Sequence, residues 1–243
     1  MIESTEIARG IYRIGLSDDP CLDGISFPQS SYNLFLVAAE KPAIINTMFR
    51  RSFPKLHAKV AEIIDPTSLR YVVVPHHEGD SSGAVNEWLA AAPGAVALCS
   101  ELCAVLSLRD FAERAPLVVA DGQTIDLGGH RLRFLITPQV NQWDSLMVYE
   151  ETTGTLFSND LFSMPGVEIL CAEDVSEECL KSTREVGYQP DDGARLIAAL
   201  DKIEPLRLNS IAVMHGPTIT GHFNELVRAF RKHSLALGKR GDR

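Results

Sequence analysis

The sequence has no excess of positive charge. Its 243 residues carry 23 Lys and Arg against 32 Asp and Glu, a formal net charge of −9. General attraction to phosphate backbones or anionic membranes is therefore disfavoured. No run reaches 18 consecutive apolar residues, so no transmembrane helix is expected. The first residues, Met1-Ile2-Glu3-Ser4-Thr5-Glu6, lack the basic and apolar regions of a secretory signal. The expectation is a cytoplasmic protein with neither a membrane nor a nucleic acid as partner. CxxC spacing is also missing: the five cysteines (Cys21, Cys99, Cys103, Cys171, Cys179) read as reduced, mostly structural thiols. The chain has no GxGxxG run, no Walker loop and no aromatic–basic stripe, which argues against dinucleotide, NTP and nucleic-acid binding. Ser81 and Ser82 have no matched His–Asp pair at a nucleophile turn, which argues against a serine hydrolase.

The chain is 45% hydrophobic and 23% charged, enough apolar material for a sizeable core. Short apolar runs read as strands over Gly10–Leu16, Tyr32–Val37, Ala43–Asn46, Tyr71–Val74, Ala95–Cys99, Leu117–Ala120, Thr124–Leu127, Arg131–Thr137, Leu146–Glu150, Thr155–Ser158 and Ser210–Val213. Helical spacing is expected over Phe53–Ile64, Ala84–Ala91, Ser100–Phe111, Ser176–Val186, Asp191–Ile203 and His222–His233. Asp174 followed by Glu177 resembles a capping box for the fourth of these. So many strands, with helices at separated positions, predict an α/β fold of two packed sheets with helices outside. Residues 1–243 read as one domain.

Four apolar strands run directly into polar residues. Tyr71–Val74 leads to Pro75-His76-His77-Glu78-Gly79-Asp80-Ser81-Ser82-Gly83, and Phe134–Thr137 to Pro138-Gln139-Val140-Asn141-Gln142-Trp143-Asp144. Thr155–Ser158 leads to Asn159-Asp160, and Ile211–Val213 to Met214-His215-Gly216-Pro217. Binding residues concentrate in such strand-end loops. In His76-x-Glu78-x-Asp80 an extended segment projects three ligand-type side chains to one side. An imidazole with two carboxylates suits iron, manganese or zinc. The alternative is a polar loop in which Asp80, Ser81 or Ser82 caps the helix after Gly83. His77 points away from its neighbour in an extended strand, Trp143 reads as pocket-lining or simply packed, and His57, His130, His222 and His233 read as surface residues.

Together, Ser31-Tyr-Asn-Leu-Phe-Leu-Val37, Ala43-Ile-Ile-Asn-Thr47, His76-x-Glu78-x-Asp80, Thr137-Pro138, Phe157-Ser-Asn-Asp160 and His215-Gly216 resemble the metallo-β-lactamase fold, a four-layer αββα sandwich. The resemblance extends over about residues 6 to 235. It is closest to the diiron domain of flavodiiron proteins, which reduce oxygen or nitric oxide, because Glu78 stands where the hydrolase branch has His. No flavodoxin-like stretch follows in this sequence. The resemblance implies two iron ions: His76 and Glu78 on one, Asp80 and His215 on the other, and Asp160 bridging.

Two ligand histidines of that pattern are missing. Ser81 directly follows Asp80, and Gln139, Asn141 and Gln142 occupy the loop after Pro138. Asn46 stands where this fold commonly has Asp. Weaker binding and partial occupancy follow, with zinc or manganese as alternative metals. If the loops meet, Glu78, Asp80 and Asp160 share a pocket, with Asp144 nearby. Either a cation or a protonated carboxyl must then relieve their repulsion. Three functions follow from this reading: an oxygen- or nitric oxide-binding diiron oxidoreductase fed by a separate electron donor, a non-catalytic sensor or binding module, and a metal-dependent hydrolase. The resemblance also implies a homodimer.

Overall fold

The computed structural model describes residues 2–17, 31–166, 175–186 and 193–238. Seven strands form one sheet in the order β1 (Ile2–Ala8), β2 (Ile11–Leu16), β3 (Tyr32–Val37), β4 (Ala43–Ile45), β5 (Tyr71–Val73), β6 (Val96–Cys99), β7 (Leu117–Val118). Five form the second in the order β12 (Ser210–Val213), β11 (Thr155–Asn159), β10 (Leu146–Glu150), β9 (Arg131–Ile136), β8 (Thr124–Asp126). Strands β1 to β4 pair antiparallel and β4 to β7 parallel. In the second sheet only β11 and β12 are parallel.

Three apolar clusters separate four layers. Phe35, Val37, Ile45, Val73, Leu98, Phe134, Val148 and Phe157 fill the space between the sheets. Leu56, Val60, Trp88 and Leu89 of helices α1 (Phe53–Ala61) and α3 (Val85–Ala91) pack against the other face of the seven-stranded sheet. On the far side, α6 (Val175–Val186), α7 (Gly193–Ile203) and α8 (Phe223–Gly238) bring Cys179, Leu196, Leu200, Leu226 and Phe230 against Leu156, Ile211 and Val213. The result is the expected αββα sandwich. β3, β4, β10, β11 and β12 are buried along their whole length, which explains why they read as continuous apolar runs.

Three elements depart from the sequence reading. β1 was not expected: its Glu3-Ser-Thr-Glu6 stretch is exposed at a sheet edge and gives no apolar alternation. The helix expected over Ser100–Phe111 is present without a gap, but its winding changes from α4 (Glu101–Cys103) to a π-helical segment (Ala104–Leu108) and back to α5 (Arg109–Phe111). A one-turn helix, α2 (Gly79–Ser82), interrupts the segment expected to be extended. Asp174 and its capping box lie outside the described residues, as do Cys21 and Cys171. Cys99, Cys103 and Cys179 are buried, free thiols, in keeping with a structural role.

β9 and β11 are both antiparallel to β10, and β11 is parallel to β12, so the C-terminal ends of β9, β11 and β12 share one edge. β4 and β5 likewise end together. Backbone bonds tie the two edges, with Leu146 N donating to Pro75 O and Asn33 N to Met214 O, both at 3.0 Å. Just past these strand ends the backbone turns through left-handed φ at Asn46 (67°), Gln139 (64°), Asn141 (72°) and Asn159 (57°). Asn is the side chain that tolerates this region best after Gly.

Candidate metal centre

The four strand-end loops meet at this pole. His76 is fully buried, with Nε2 3.1 Å from Glu78 Oε2 and 3.5 Å from Asp80 Oδ1. Its Nδ1 is 3.7 Å from Asp160 Oδ2. His215 Nε2 lies 3.2 Å from Asp160 Oδ1 and 3.5 Å from Asp80 Oδ2. The structure thus brings together His76, Glu78, Asp80, Asp160 and His215. All but Glu78 are buried; the Glu78 side chain is 42% exposed and forms the mouth.

The way β5 delivers its three residues differs from the expectation. The chain does not stay extended. Glu78, with extended φ and ψ, occupies the N-cap position of α2 without capping it through its side chain, and Asp80 sits in the first turn. The bend, not strand alternation, gathers the three groups. Ser81 and Ser82 lie inside α2, and the N-cap of α3 is Ala84, so none of Asp80, Ser81 and Ser82 caps that helix.

The imidazoles are held from behind. The Asn159 amide Oδ1 is 3.1 Å from His76 Nδ1, and His215 Nδ1 donates to Ser31 O at 2.9 Å. Ser31 Oγ accepts from Gly216 N at 2.9 Å. The Tyr32 ring packs edge-on to His215 with centroids 4.9 Å apart. Such outer partners fix which ring nitrogen faces the site. Asn33, buried inside β3, donates Nδ2 to Val213 O and Gly216 O, both at 2.8 Å, and steadies the His215 turn. The sequence reading passed over Ser31, Asn33 and Asn159. A polar residue inside the apolar run Tyr32–Val37 was the available signal for Asn33.

Of the remaining candidates, Asn141 donates Nδ2 to Asp160 Oδ2 at 2.7 Å and Gln142 donates Nε2 to Glu78 Oε1 at 2.6 Å. Ser81 is buried and turns its hydroxyl to Asn46 Oδ1 at 3.0 Å, beneath the cluster. Gln139 is exposed, and its side chain makes no hydrogen bond to the cluster. Trp143 is 65% exposed and lines a separate apolar hollow with Leu102, Val118 and Pro138, so it does not line this pocket. Asp144 is also outside the cluster, where its Oδ1 pairs with His77 Nδ1 at 2.9 Å. His130, expected at the surface, is buried 3.2 Å from Glu150 Oε1.

The carboxylates are not left to repel one another, because the two imidazoles stand between them. Burial by itself lowers the pKa of His76, but Asp160, Asp80 and Glu78 outweigh it and raise the ring well above its usual range. Burial also works against His215, yet its hydrogen bonds and charge pairing with Asp160 and Asp80 push it up to about 10. Asp80 is held below the usual carboxylate range despite burial, chiefly by His215 and His76. Both imidazoles are therefore favoured in their protonated form.

A cation fits this donor set. One ligand atom each from His76, Glu78 and Asp80 lies within 4.8 Å of the other two, and Asp80 Oδ1 is buried without a hydrogen-bond partner. One neutral imidazole and two carboxylates suit borderline-to-hard divalent ions.

Known proteins resemble this chain in sequence and in fold. The putative diflavin flavoprotein A 1 of Nostoc sp. is 31% identical over 86% of this chain and 37% of its own length. The nitric oxide reductase of Moorella thermoacetica is 27% identical over 98% of this chain and 63% of its own. The chain thus spans less than two thirds of these relatives. A fragment of putative diflavin flavoprotein A 5 from Nostoc sp. superposes with a TM-score of 0.83 at 22% identity, covering 100% of this chain and 98% of that one. The flavodiiron protein of Giardia intestinalis superposes with a TM-score of 0.82 at 21% identity, covering 97% and 60%. Among the described residues, no helix is long and apolar enough to cross a membrane. Residues 30–216 match the ODP family beta lactamase description, and the chain belongs to that family.

Proposed function

We propose that this chain is the non-haem iron unit of an oxidoreductase of flavodiiron type, acting on O2 or NO with electrons from a separate donor. The observation that carries the reading is the convergence of His76, Glu78 and Asp80, with Asp80 Oδ1 buried and lacking a hydrogen bond. Relatives named as a nitric oxide reductase and as diflavin flavoproteins support the choice of chemistry. A cytoplasmic setting is supported by three free, buried thiols among the described residues. A homodimer belongs to the same reading.

His76, Glu78 and Asp80 would hold the iron, with Asp160 and His215 alongside. Iron there supplies a redox centre able to bind a diatomic gas. Asn159 orients the His76 ring so that Nε2 faces Glu78 and Asp80. Gln142 fixes Glu78 at the mouth through Oε1, leaving Oε2 turned to His76. Buried His76, Asp160 and His215 keep bulk water from the floor. With Nδ1 of His215 committed to Ser31 O, the proton at Nε2 is directed at Asp160 and Asp80. Reduction of either gas consumes protons, and His215 holds one at the floor of the site.

The test is metal analysis of protein purified without added metal, followed by O2 and NO uptake by iron-loaded protein supplied with a chemically reduced flavoprotein. Iron content with gas uptake is the expected result. Zinc with hydrolytic activity, or no metal and no uptake, would overturn the reading, the latter in favour of a binding module.

A further inference from the structure

We propose that the pocket is built for one cation, seated between His76, Glu78 and Asp80, and that the His215–Asp160 pair with Asn141 takes the room of a second. This rests on the metal-site reading above and narrows it.

Ligands bonded at about 2 Å to one ion lie roughly 3–4 Å from one another. His76 Nε2 meets that spacing with Glu78 Oε2 at 3.1 Å and with Asp80 Oδ1 at 3.5 Å. Among the described residues, this is the only set of three His, Cys, Asp or Glu ligand atoms that all lie within 4.8 Å of one another. The opposite side of the pocket does not form such a set. There His215 Nε2 is 3.2 Å from Asp160 Oδ1 and 3.5 Å from Asp80 Oδ2, but these atoms are not part of a set of three within 4.8 Å of one another.

The other groups on that side are already committed. Asp160 Oδ2 accepts from Asn141 at 2.7 Å. An amide N–H at this oxygen takes the place a positive ion would have. Ser81, next to Asp80, donates its hydroxyl away from the pocket to Asn46 at 3.0 Å. Among the described residues, no second set of three His, Cys, Asp or Glu ligand atoms gathers on that side. On the first side Asp80 Oδ1 is buried with no hydrogen-bond partner.

The experiment is anaerobic titration of the metal-free protein with Mn²⁺ alone, followed by calorimetry, metal analysis after gel filtration, and electron paramagnetic resonance. One Mn²⁺ per chain, with the six-line spectrum of an isolated ion, is expected. Two per chain, with the broadened spectrum of a coupled pair, would overturn this inference and leave the proposed function standing. No uptake of Mn²⁺ or of Fe²⁺ would overturn both.

Variants locate the ion. His76→Ala should weaken Mn²⁺ at least about 100-fold, since losing a ligand exceeds the 10–100-fold cost of losing an outer partner. His215→Gln should keep a stoichiometry of one. Loss of the ion in His215→Gln, with its melting curve and circular dichroism unchanged, would overturn the assignment. If His76→Ala does not fold, Glu78→Gln at the half-exposed mouth provides the same reading.

Discussion

Metal uptake at this pocket should release a proton, and the number released should identify the imidazole that binds. In the metal-free protein Asp160, Asp80 and Glu78 keep His76 protonated at neutral pH. Nε2 can ligate only after losing that proton, so binding is coupled to its release. Each pH unit below the pKa of His76 then costs about 1.4 kcal/mol, a factor of ten in affinity. Below the pKa of His76 the apparent Mn²⁺ affinity should rise about tenfold per pH unit if only His76 is displaced. His215, pushed up to about 10, would have to be stripped as well if it were a ligand. That would cost about 4 kcal/mol more at pH 7 and steepen the rise to about 100-fold per pH unit while both rings are protonated. The assay is calorimetric titration at several pH values, each in two buffers of different ionisation enthalpy, which counts protons directly. An affinity independent of pH would refute the reasoning. Two protons released per ion would put His215 in the coordination shell.

The raised pKa values also set the stability of the metal-free protein. A group whose folded pKa is raised contributes most below its unfolded value of about 6.5, and that contribution fades as pH rises through the folded value, about 10 for His215. Chemical denaturation at several pH values should therefore show stability falling from pH 7 toward 10, by up to about 1.4 kcal/mol per unit for each such histidine; a rise would contradict the pairing. Asp160→Asn removes the nearest charged partner of His215, and nuclear magnetic resonance titration should show the His215 pKa down by about one to three units. Buried Glu150 accepts from the backbone N–H groups of Arg131, Thr152 and Thr153 and from the Thr153 hydroxyl. Glu150→Ala should cost about 3 kcal/mol by denaturant titration, because those donors lose their acceptor. Gly216 has φ of +104°, and a Cβ there would come 2.7 Å from Met164 O; Gly216→Ala should lower the melting temperature through a loss of about 2 kcal/mol.

The parts of the fold legible in the sequence were those whose surroundings are uniform. β3, β10 and β12 coincide with the expected Tyr32–Val37, Leu146–Glu150 and Ser210–Val213, because strands buried on both faces read as plain apolar runs. β1 is an exposed edge and α2 a single turn, so neither carries a period long enough to detect. At the site, His76, Glu78 and Asp80 stood out by residue type, but their alternation suggested the wrong backbone. Asp160 and His215 came from the resemblance. Asn33 was signalled only as a polar residue inside an apolar run, whereas the supports Ser31 and Asn159 act through hydrogen bonds between segments far apart in the chain, which no local pattern encodes. The same holds for His130, whose burial depends on Glu150 across the β9–β10 pair.

The left-handed bends at Asn46, Asn141 and Asn159 have a consequence for any saturation-mutagenesis map of this protein. Each carries a side-chain hydrogen bond at the site, to Asn33 O, Asp160 and His76 respectively. Each also holds a φ that β-branched and bulky residues avoid. Two independent constraints thus coincide on the same positions. Gly satisfies the backbone and loses the hydrogen bond, Asp satisfies the backbone and adds charge to a carboxylate cluster, and Thr fails at the backbone. In such a map these three asparagines would show tolerance profiles as narrow as those of the ion-binding residues themselves, although none of them need touch an ion. Comparing Gly with Thr at each position would divide the penalty into a part owed to chain geometry and a part owed to the site.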